Sequence, residues 1–304
     1  MSAAPALVAD KDVHALAFGA MRATVRAADG GRVASLWRDD PKGRRVDVLV
    51  PMAPGAYDPQ IWPKAGCYPL VPWSNRIRDA RFPFGGRTIA LPPHPASAPH
   101  AVHGFAQTRP WQVTAAGEST LEMRYDHEPD AWPWAFAAVQ KLSLDAAGLT
   151  IAIAVTNRAS EPMPCGLGVH PFFKAGPGDR VRFTADLAWD QDSAGCGTAA
   201  RALSPAASRH DAALDATAVT DYRAGFGGMA SIARADGSRI VLQTGAPFDH
   251  VVFHVPAGGA YACIEPVTHV ADAFNLAARG VEGSGMRTLA PGQTLAGLVR
   301  LGLA

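Results

Sequence analysis

Residues 67–105 read CYPLVPWSNRIRDARFPFGGRTIALPPHPASAPHAVHGF and contain an unusual concentration of turn-forming and polar side chains. Proline or glycine recurs every few residues, which disfavours a continuous helix. The tetrapeptide FGGR at 84–87 lies between two short apolar runs and predicts a hairpin turn. The flanking blocks PLVPWSNRIR (69–78) and HAVHGF (100–105) supply an aromatic ring, an amide, two guanidinium groups and two imidazoles. The stretch therefore predicts strands and loops that bring polar side chains together.

The rest of the chain has the composition of a protein built from many short strands. The 304 residues are 48% hydrophobic, and 30 glycines and 25 prolines make up about 18% of the chain, against a usual ~12%. Alternating segments such as 31–37 and 121–125 predict strands, and 136–144 with 149–157 predicts a further hairpin. We predict an all-β fold, a large antiparallel β-sandwich with few short helices, as a single domain over 1–304. The Ala-, Ser- and Asp-rich segment 194–221 is expected to form a short helix or a surface excursion.

Charge and cysteine usage exclude several classes of protein. A formal net charge of +1 gives no reason to expect a nucleic-acid or anionic-membrane partner. No apolar run approaches the ~18 residues that a membrane-spanning helix needs, and charges at 10–12 interrupt any leader-like segment. The four cysteines are widely spaced, which favours small buried core residues over a zinc or redox motif. We expect a cytoplasmic protein, a monomer or homodimer.

Cofactor and metal motifs are absent from the sequence. It has no GxGxxG after a strand and no phosphate-binding GK(S/T) loop, so we predict no cofactor. His94, His250 and His254 could be recruited as ligands, but no carboxylate or cysteine stands beside them at metal-ligand spacing. We therefore predict no metal site.

Two residues have the surroundings of an acid–base pair. Glu265 ends an apolar run (261–264) and precedes a proline, so its carboxylate lies where a strand leaves the core and its pKa should rise, as suits a general base. The alternative is an ordinary strand-end ion pair. His170 lies between GLGV (166–169) and the aromatic PFF (171–173), where an imidazole could donate a proton near neutral pH. The alternative is a hydrogen-bonded core histidine.

Four further residues are candidates for binding a ligand. Arg76 offers a fork of donors that suits vicinal hydroxyls, and Asn75 beside it could reach the same ligand if the two residues lie in a turn. His103 is a candidate hydrogen-bonding group, whereas His100, three residues earlier, should face the other way on an extended chain. Trp73 could stack on the apolar face of a ligand or equally belong to the core.

These blocks, together with GLGVHPFF (166–173) and IEPVTHVADAFN (264–275), occur in the order typical of one family. The chain resembles the aldose 1-epimerase (galactose mutarotase-like) family. The resemblance implies a large twisted two-sheet sandwich that interconverts the α and β anomers of a hexopyranose by ring opening and closure. It implies Glu265 as base, His170 as acid, and His103 and Arg76 as groups that hold the ring.

The resemblance also implies a sugar-binding carboxylate between His170 and Glu265. The candidate is Asp221, in a segment (219–228) that matches the family pattern loosely. Thr220 occupies the place where that pattern often has its first aspartate. Asp215 is the competing candidate.

Two other functions stay open at the level of sequence. One is an epimerase of a charged sugar, such as a phosphorylated or sulfonated hexose, with Arg78, Arg81 or Arg87 as anion-binding residues. The other is a carbohydrate-binding sandwich without catalysis. The presence of both Glu265 and His170 favours an enzyme.

Overall fold

The computed structural model describes residues 13–53, 55, 57–58 and 63–304. The residues on which the expectation about a leader segment rests, 1–12, lie outside these ranges. Within them the chain is almost entirely β-structure, as predicted, and it has one α-helix, α1 (Ala273–Ala278). Three 3-10 turns accompany it, at Arg78–Ala80, Pro95–Ser97 and Ala106–Thr108. No helix among the described residues has the length and apolar character needed to cross a bilayer.

The N-terminal half consists mainly of strands, joined by turns and by longer loops. In chain order they are β1 (Val13–Phe18), β2 (Met21–Arg26), β3 (Arg32–Asp39), β4 (Arg45–Asp47), β5 (Cys67–Leu70), β6 (Arg76–Ile77), β7 (Arg81–Phe84), β8 (Arg87–Ala90), β9 (Ala101–Val102), β10 (Gln112–Ala116), β11 (Thr120–His127), β12 (Phe136–Asp145) and β13 (Gly148–Asn157).

The C-terminal half continues in the same manner up to the last strand. Its strands are β14 (Met163–Cys165), β15 (Gly168–Phe173), β16 (Arg180–Thr184), β17 (Leu187–Gln191), β18 (Gly197–Ala202), β19 (Arg209–Ala213), β20 (Val219–Ala224), β21 (Met229–Ala233), β22 (Arg239–Thr244), β23 (His250–Val255), β24 (Ala262–Val267), β25 (Arg287–Leu289) and β26 (Thr294–Leu303).

Two large antiparallel sheets form the sandwich. The first has eleven strands in the order β1-β2-β3-β5-β15-β24-β23-β20-β17-β18, with β4 paired to β3. The second has nine strands in the order β10-β11-β12-β13-β26-β22-β21-β16-β19. Buried side chains of both sheets belong to one continuous apolar core. The pairing of β5, β15, β24, β23 and β20 brings together segments that are far apart in the sequence, and this pairing positions the site described below.

Both predicted hairpins are present. Phe84 pairs with Arg87 across the turn between β7 and β8, and Gly85 and Gly86 both have positive φ (59° and 76°). Positive φ at both central positions is what a tight two-residue turn between twisted strands requires, and glycine meets it without steric cost. The longer hairpin of β12 and β13 closes at the pair Asp145–Gly148.

The segment 194–221 contains no helix, so the first of its two predicted alternatives, a short helix, was wrong. It supplies β18 and β19, which lie at the ends of the first and second sheet, respectively, and the start of β20. The side chains of β18 and β19 are largely exposed. A strand at a sheet edge pairs on one side only and buries little, so its sequence lacks the apolar alternation that marks a half-buried strand.

Alternation along β23 shows how the first sheet divides its two faces. The ring of Phe253 packs against that of Phe183 in β16 of the second sheet, with centroids 5.8 Å apart. The neighbouring residue, His254, points to the opposite face, since successive side chains of a strand alternate. One face of these central strands therefore joins the core between the sheets, and the other is free to form a site.

Candidate active site

A row of cross-strand neighbours forms the floor of the site on the face of the first sheet that points away from the second sheet. Tyr68 of β5 pairs with His170 of β15. The pairs Gly168–Val267 and Phe172–Cys263 place His170 opposite Glu265 of β24. Residues directly opposite each other on antiparallel strands have Cβ atoms ~4.5–5.5 Å apart, so the sheet register itself brings the imidazole and the carboxylate into contact.

A second row lies on the same face of the sheet, two residues before Glu265 on β24. Cys263 of β24 pairs with His254 of β23, and His254 pairs with Thr220 of β20. The Thr220 hydroxyl and His254 Nδ1 form a hydrogen bond of 2.9 Å. The two rows place an imidazole, a carboxylate, a thiol and a hydroxyl side by side, although these groups come from segments up to about a hundred residues apart.

Glu265 and His170 are a buried, closely coupled pair. Nε2 of His170 lies 3.3 Å from Oε1 of Glu265, and the two side chains are 6% and 4% exposed. Burial disfavours the charged form of each, so it raises the pKa of Glu265 to about 8 and lowers the pKa of His170 well below its ordinary value. At neutral pH the pair therefore holds one proton, which rests on the carboxyl group.

Aromatic rings hold the His170 imidazole in place. It stacks on Phe172 at a centroid distance of 4.6 Å and on Tyr68 at 4.7 Å. Rings on two sides restrict rotation of the imidazole and exclude water from it. Oε2 of Glu265 has no hydrogen-bond partner among the residues that the structure describes, so this oxygen is available to a ligand.

His103 and Asn75 form a rigid corner beside the pair. Both have positive φ, 65° and 54°, a backbone conformation that non-glycine residues rarely adopt. The backbone N–H of Asn75 donates to Nδ1 of His103 at 3.0 Å. Burial lowers the pKa of His103 well below its ordinary value, so the ring is neutral. Because Nδ1 accepts a hydrogen bond, the proton is on Nε2, which can donate to a ligand.

Arg76 follows this corner on β6. The side-chain oxygen of Asn75 accepts a hydrogen bond from the backbone N–H of Arg76 at 2.9 Å and lies 3.4 Å from its guanidinium. Oδ1 of Asn75 also accepts from the hydroxyl of Tyr222 at 3.3 Å. The side chain of Asn75, which is itself held by Tyr222, thus fixes the position of Arg76.

These side chains line one cavity of about 250 Å³. Five of the residues singled out in the sequence contribute to its wall: Asn75, Arg76, His103, His170 and Glu265. Pockets for drug-sized ligands are ~300–1,000 Å³, so this volume suits a single sugar ring.

Sequence reasoning missed Lys64 and Tyr261 in the wall of the same cavity, and it did not assign Thr220 or His254 to a sugar site. Lys64 is exposed overall, but partial loss of hydration at the cavity wall lowers its pKa, and the charge of Glu265 opposes this shift. Lys64 in turn opposes the rise in the pKa of Glu265 and lowers the pKa of both His170 and His103. No motif marks Lys64, and only the fold brings it to the cavity.

Asp221 does not line the cavity. On β20 it points to the face opposite that of Thr220, where its carboxylate pairs with the Arg223 guanidinium at 2.5 Å. The competing candidate, Asp215, caps its own turn by accepting from the backbone N–H of Thr217 at 2.7 Å, and it is also absent from the wall. A one-residue difference along a strand changes the face, so Thr220 occupies the cavity in place of a carboxylate.

Trp73 belongs to the core. It is 2% exposed, stacks on Trp132 at 5.4 Å and meets Phe105 edge-on at 5.2 Å. It lines a separate small cavity rather than the one that holds Glu265 and His170. The sugar-stacking alternative for Trp73 therefore has no support in the geometry of this cavity.

The arginines considered for a charged sugar lie elsewhere as well. Arg78 pairs with Asp192 and Asp272, and Arg87 pairs with Glu161. Arg81 is exposed, and the three are absent from the cavity wall. His100 is also outside, where its Nδ1 accepts a hydrogen bond from the backbone N–H of Asp79.

One group of side chains has the composition of a metal site. Potential ligand atoms of His170, Cys263 and Glu265 lie within 4.8 Å of one another. Sequence reasoning overlooked this group because Cys263 joins His170 only through the pairing of β15 with β24. Burial raises the pKa of the Cys263 thiol well above its ordinary value, so a metal would have to displace the proton of a buried thiol. All four cysteines are buried free thiols, as predicted.

Comparisons with known proteins place the chain among relatives of similar length and identify its family. The family model described as aldose 1-epimerase matches residues 13–301. The chain is 28% identical over 295 residues to the uncharacterized protein YphB of Escherichia coli strain K12, covering 93% of this chain and 95% of YphB. A shorter match, 30% identical over 105 residues and 34% of each chain, is to the uncharacterized protein YihR of the same strain.

Solved structures show the same fold. The crystal structure of an E. coli K12 protein, described as a possible aldose 1-epimerase, has a TM-score of 0.82 at 26% identity and covers 96% of this chain and 98% of that one. A galactose mutarotase-like protein from Clostridium acetobutylicum has a TM-score of 0.81 at 24% identity, with 95% and 94% coverage. With a family model that spans nearly all of its length, this chain belongs to the aldose 1-epimerase family.

Proposed function

We propose that this protein interconverts the α and β anomers of an aldohexopyranose. The observation that supports the proposal best is the contact between His170 and Glu265, 3.3 Å apart on the floor of a cavity that suits one sugar ring. Ring opening needs a base at the C1 hydroxyl and an acid at the ring oxygen, and both must act on adjacent atoms of one substrate. Two neighbouring groups that share a single proton meet this requirement.

The reaction begins with the proton that the pair holds. When this proton resides on His170, Glu265 is a carboxylate and His170 an imidazolium. Glu265 then removes the proton of the C1 hydroxyl while His170 protonates the ring oxygen, and the C1–O5 bond breaks to give the open-chain aldehyde. Rotation about C1–C2 presents the other face of the carbonyl. In the return step, His170 removes the C5 hydroxyl proton and Glu265 protonates the new C1 oxygen.

The remaining groups bind the ring and the developing charge. Nε2–H of His103 and the guanidinium of Arg76 donate hydrogen bonds to sugar oxygens. The backbone N–H of Asn75 holds His103 in position, and the side-chain oxygen of Asn75 holds Arg76. Donors fixed in a buried site stabilise developing charge more effectively than water does, because they need no reorganisation during the reaction. The residues described here thus account for base, acid and binding without a further group.

The direct test follows freshly dissolved α-anomers by polarimetry or NMR, with and without the protein. Glucose, galactose and a charged hexose form the first panel. We expect a faster approach to anomeric equilibrium for at least one sugar. If none responds although one binds, the carbohydrate-binding alternative replaces this proposal.

A further inference from the structure

A charged side chain, that of Arg32 on β3, is buried close to the active site but does not line its cavity. Arg32 is 0% exposed, and its Nη1 donates a hydrogen bond to the carbonyl oxygen of Ala65 at 3.1 Å. Among the residues that the structure describes, Nε and Nη2 have no hydrogen-bond partner and no carboxylate forms an ion pair with the guanidinium. Burying a charge without a counter-ion costs stability, so the cation must be compensated in another way.

Two tyrosine rings provide this compensation. The guanidinium carbon of Arg32 lies 4.4 Å from the ring centroid of Tyr68 and 5.5 Å from that of Tyr57. A cation within about 6 Å of an aromatic ring is attracted by the ring's negative face, and the attraction is stronger where water is excluded. Tyr68 is 1% exposed, so its contact with Arg32 is shielded from water. Arg32 therefore fixes the position of the Tyr68 ring.

The strand register places Arg32 and His170 on either side of Tyr68. Val33 of β3 pairs with Cys67 of β5, so in this antiparallel pair Arg32 lies opposite Tyr68. Tyr68 in turn pairs with His170 of β15, and β5 lies between β3 and β15 in the first sheet. The row of cross-strand neighbours that forms the floor of the site thus begins with a buried cation.

Ring contacts continue from Tyr68 across the imidazole. Tyr68 stacks on His170 at a centroid distance of 4.7 Å, and His170 stacks on Phe172 at 4.6 Å. The imidazole is thus held between two rings, one of which is itself held by Arg32. Burial is the largest cause of the lowered pKa of His170, and the charge of Arg32 is a smaller one that acts in the same direction. The main link between Arg32 and His170 is therefore the Tyr68 ring.

We propose that Arg32 is a positioning residue of the anomer exchange, and that it holds His170 in its productive orientation through the ring of Tyr68. The inference rests on the proposed role of His170 as the acid. Arg32 is absent from the cavity wall, so it acts through a residue that reaches the sugar. Since a misplacement of about 1 Å can cost about a hundredfold in rate, an acid held by stacking depends on the position of the rings.

The first experiment compares kcat with KM in variants of Arg32. Arg32→Met removes the cation and keeps an apolar stem, and we expect kcat to fall about ten- to hundredfold while KM stays within about twofold. Arg32→Lys returns a cation to the Tyr68 ring and should recover most of the rate. Arg45→Met is the matched control, since it removes a partly exposed cation 4.0 Å from the ring of Trp37 and should keep kcat unchanged. Rates are measured by NMR exchange at anomeric equilibrium.

A double variant tests whether the effect passes through Tyr68. Tyr68→Leu removes the ring that links Arg32 to the imidazole and should lower kcat about as much as Arg32→Met does. The double variant should be no slower than the slower single variant, because both changes remove the same support. A loss equal to the product of the two single losses would show that Arg32 acts independently of the ring, and it would overturn the inference.

Stability distinguishes a positioning role from a purely structural one. Replacing an unpaired buried charge by an apolar side chain is often neutral or stabilising, so Arg32→Met should not lower the urea midpoint. A folded variant with a lower midpoint and full kcat would assign Arg32 a structural role only. If Arg32→Met does not fold, Tyr68→Leu carries the same prediction for kcat.

The mobility of the His170 ring gives a readout that does not depend on catalysis. Carbon relaxation of histidine-labelled protein measures the order parameter of the imidazole C–H bonds, and His170→Asn assigns the signal. We expect lower order in Arg32→Met and Tyr68→Leu, and no change in Arg45→Met. A rigid His170 in the first two variants overturns the inference whatever the rates are. Absence of exchange in the unmodified protein overturns the proposed function, whereas a loosened ring would still support the link from Arg32 to His170.

Discussion

Two cross-strand pairs in this protein join a glutamate to a basic residue, and they behave in opposite ways. Glu122 of β11 lies opposite Lys141 of β12 on the second sheet, with 2.8 Å between Oε2 and Nζ. Glu265 of β24 lies opposite His170 of β15 on the first sheet at 3.3 Å. The ion pair with Lys141 lowers the pKa of Glu122, whereas burial raises the pKa of Glu265 to about 8.

The two glutamates differ in pKa because they differ in exposure to solvent, and the distance to the basic partner is not the cause. The side chains of Glu122 and Lys141 are 33% and 66% exposed, so water solvates both charges and the pair is worth little to stability. The side chains of Glu265 and His170 are 4% and 6% exposed, and there the cost of burying charge dominates. The same kind of cross-strand pairing thus produces a surface ion pair in one sheet and a buried carboxyl–imidazole pair in the other.

Removing one carboxylate of each pair should affect activity very differently. A general acid or base contributes roughly 10²–10⁴-fold, so Glu265→Gln and His170→Asn should each lose that much anomerisation rate. Glu122→Gln should keep the rate of the unmodified protein. Rates are measured by NMR exchange on variants whose circular dichroism shows the native fold. Full activity of folded Glu265→Gln would remove this carboxylate from the mechanism.

Stability should change in the opposite direction to activity. The pKa of Glu265 rises from 4.5 in the unfolded chain to about 8 in the fold, so folding favours its protonated form. Its contribution to stability is fully present below about pH 4.5 and is lost as the pH rises through about 8. Glu265→Gln mimics the protonated form and should exceed the unmodified protein by roughly 3–5 kcal/mol at pH 8.

Urea unfolding of these proteins at pH 5 and pH 8 measures this effect. The gain for Glu265→Gln should be small at pH 5 and large at pH 8, while Glu122→Gln should show little change at either pH. A gain independent of pH would mean that the substitution acts through packing rather than through the buried charge.

The pH dependence of kcat/KM should report the shared proton. Lys64, Arg76 and His170 face Glu265, and its pKa of about 8 already includes the opposing effect of the two cations. Above this pH the pair loses its proton and His170 can no longer act as an acid, so kcat/KM should fall about tenfold per pH unit. Below it, kcat/KM should stay level to well under pH 6.5, because the pKa of His170 is lowered.

A pH–rate profile from 5 to 10 decides this point. A kcat/KM that instead rises through pH 8 would show that ionised Glu265 is sufficient and that His170 supplies no proton.

The prediction with the smallest expected effect compares the two faces of β20. Asp221→Asn should leave kcat/KM within about twofold of the unmodified protein, because the carboxylate lies outside the cavity and pairs with Arg223. Thr220→Val should reduce kcat/KM by about three- to tenfold, since it removes one neutral hydrogen bond at the wall. Initial rates at several sugar concentrations measure both. A loss of activity in Asp221→Asn together with normal activity in Thr220→Val would show that Asp221 contacts the substrate.

Much of this site could be predicted from sequence because its reactive side chains lie in short segments with recognisable patterns. Glu265 and His170 each follow a run of apolar or glycine residues that indicates where a strand carries a polar group into the core. His103, Asn75 and Arg76 lie within twenty-nine residues of one another, in a stretch whose prolines and glycines exclude a helix. The alternation of apolar residues with frequent turns was sufficient to predict the all-β class.

Lys64, His254 and the side on which Asp221 lies could not be predicted in this way. No local sequence pattern indicates that Lys64 lines the cavity. The Thr220–His254 pair exists only because β20 pairs with β23 in one register. A shift of one residue would have turned Asp221 into the cavity and Thr220 out of it.

By itself, the sequence determined the β-sandwich and indicated Glu265 and His170 as the proposed base and acid, since these depend on side-chain types and on backbone preferences over a few residues. The tertiary structure alone decided that Glu265 meets His170, that Lys64 charges the cavity, and that Asp221 is excluded from it. Contacts between distant strands depend on register and burial, and both are properties of the folded chain as a whole.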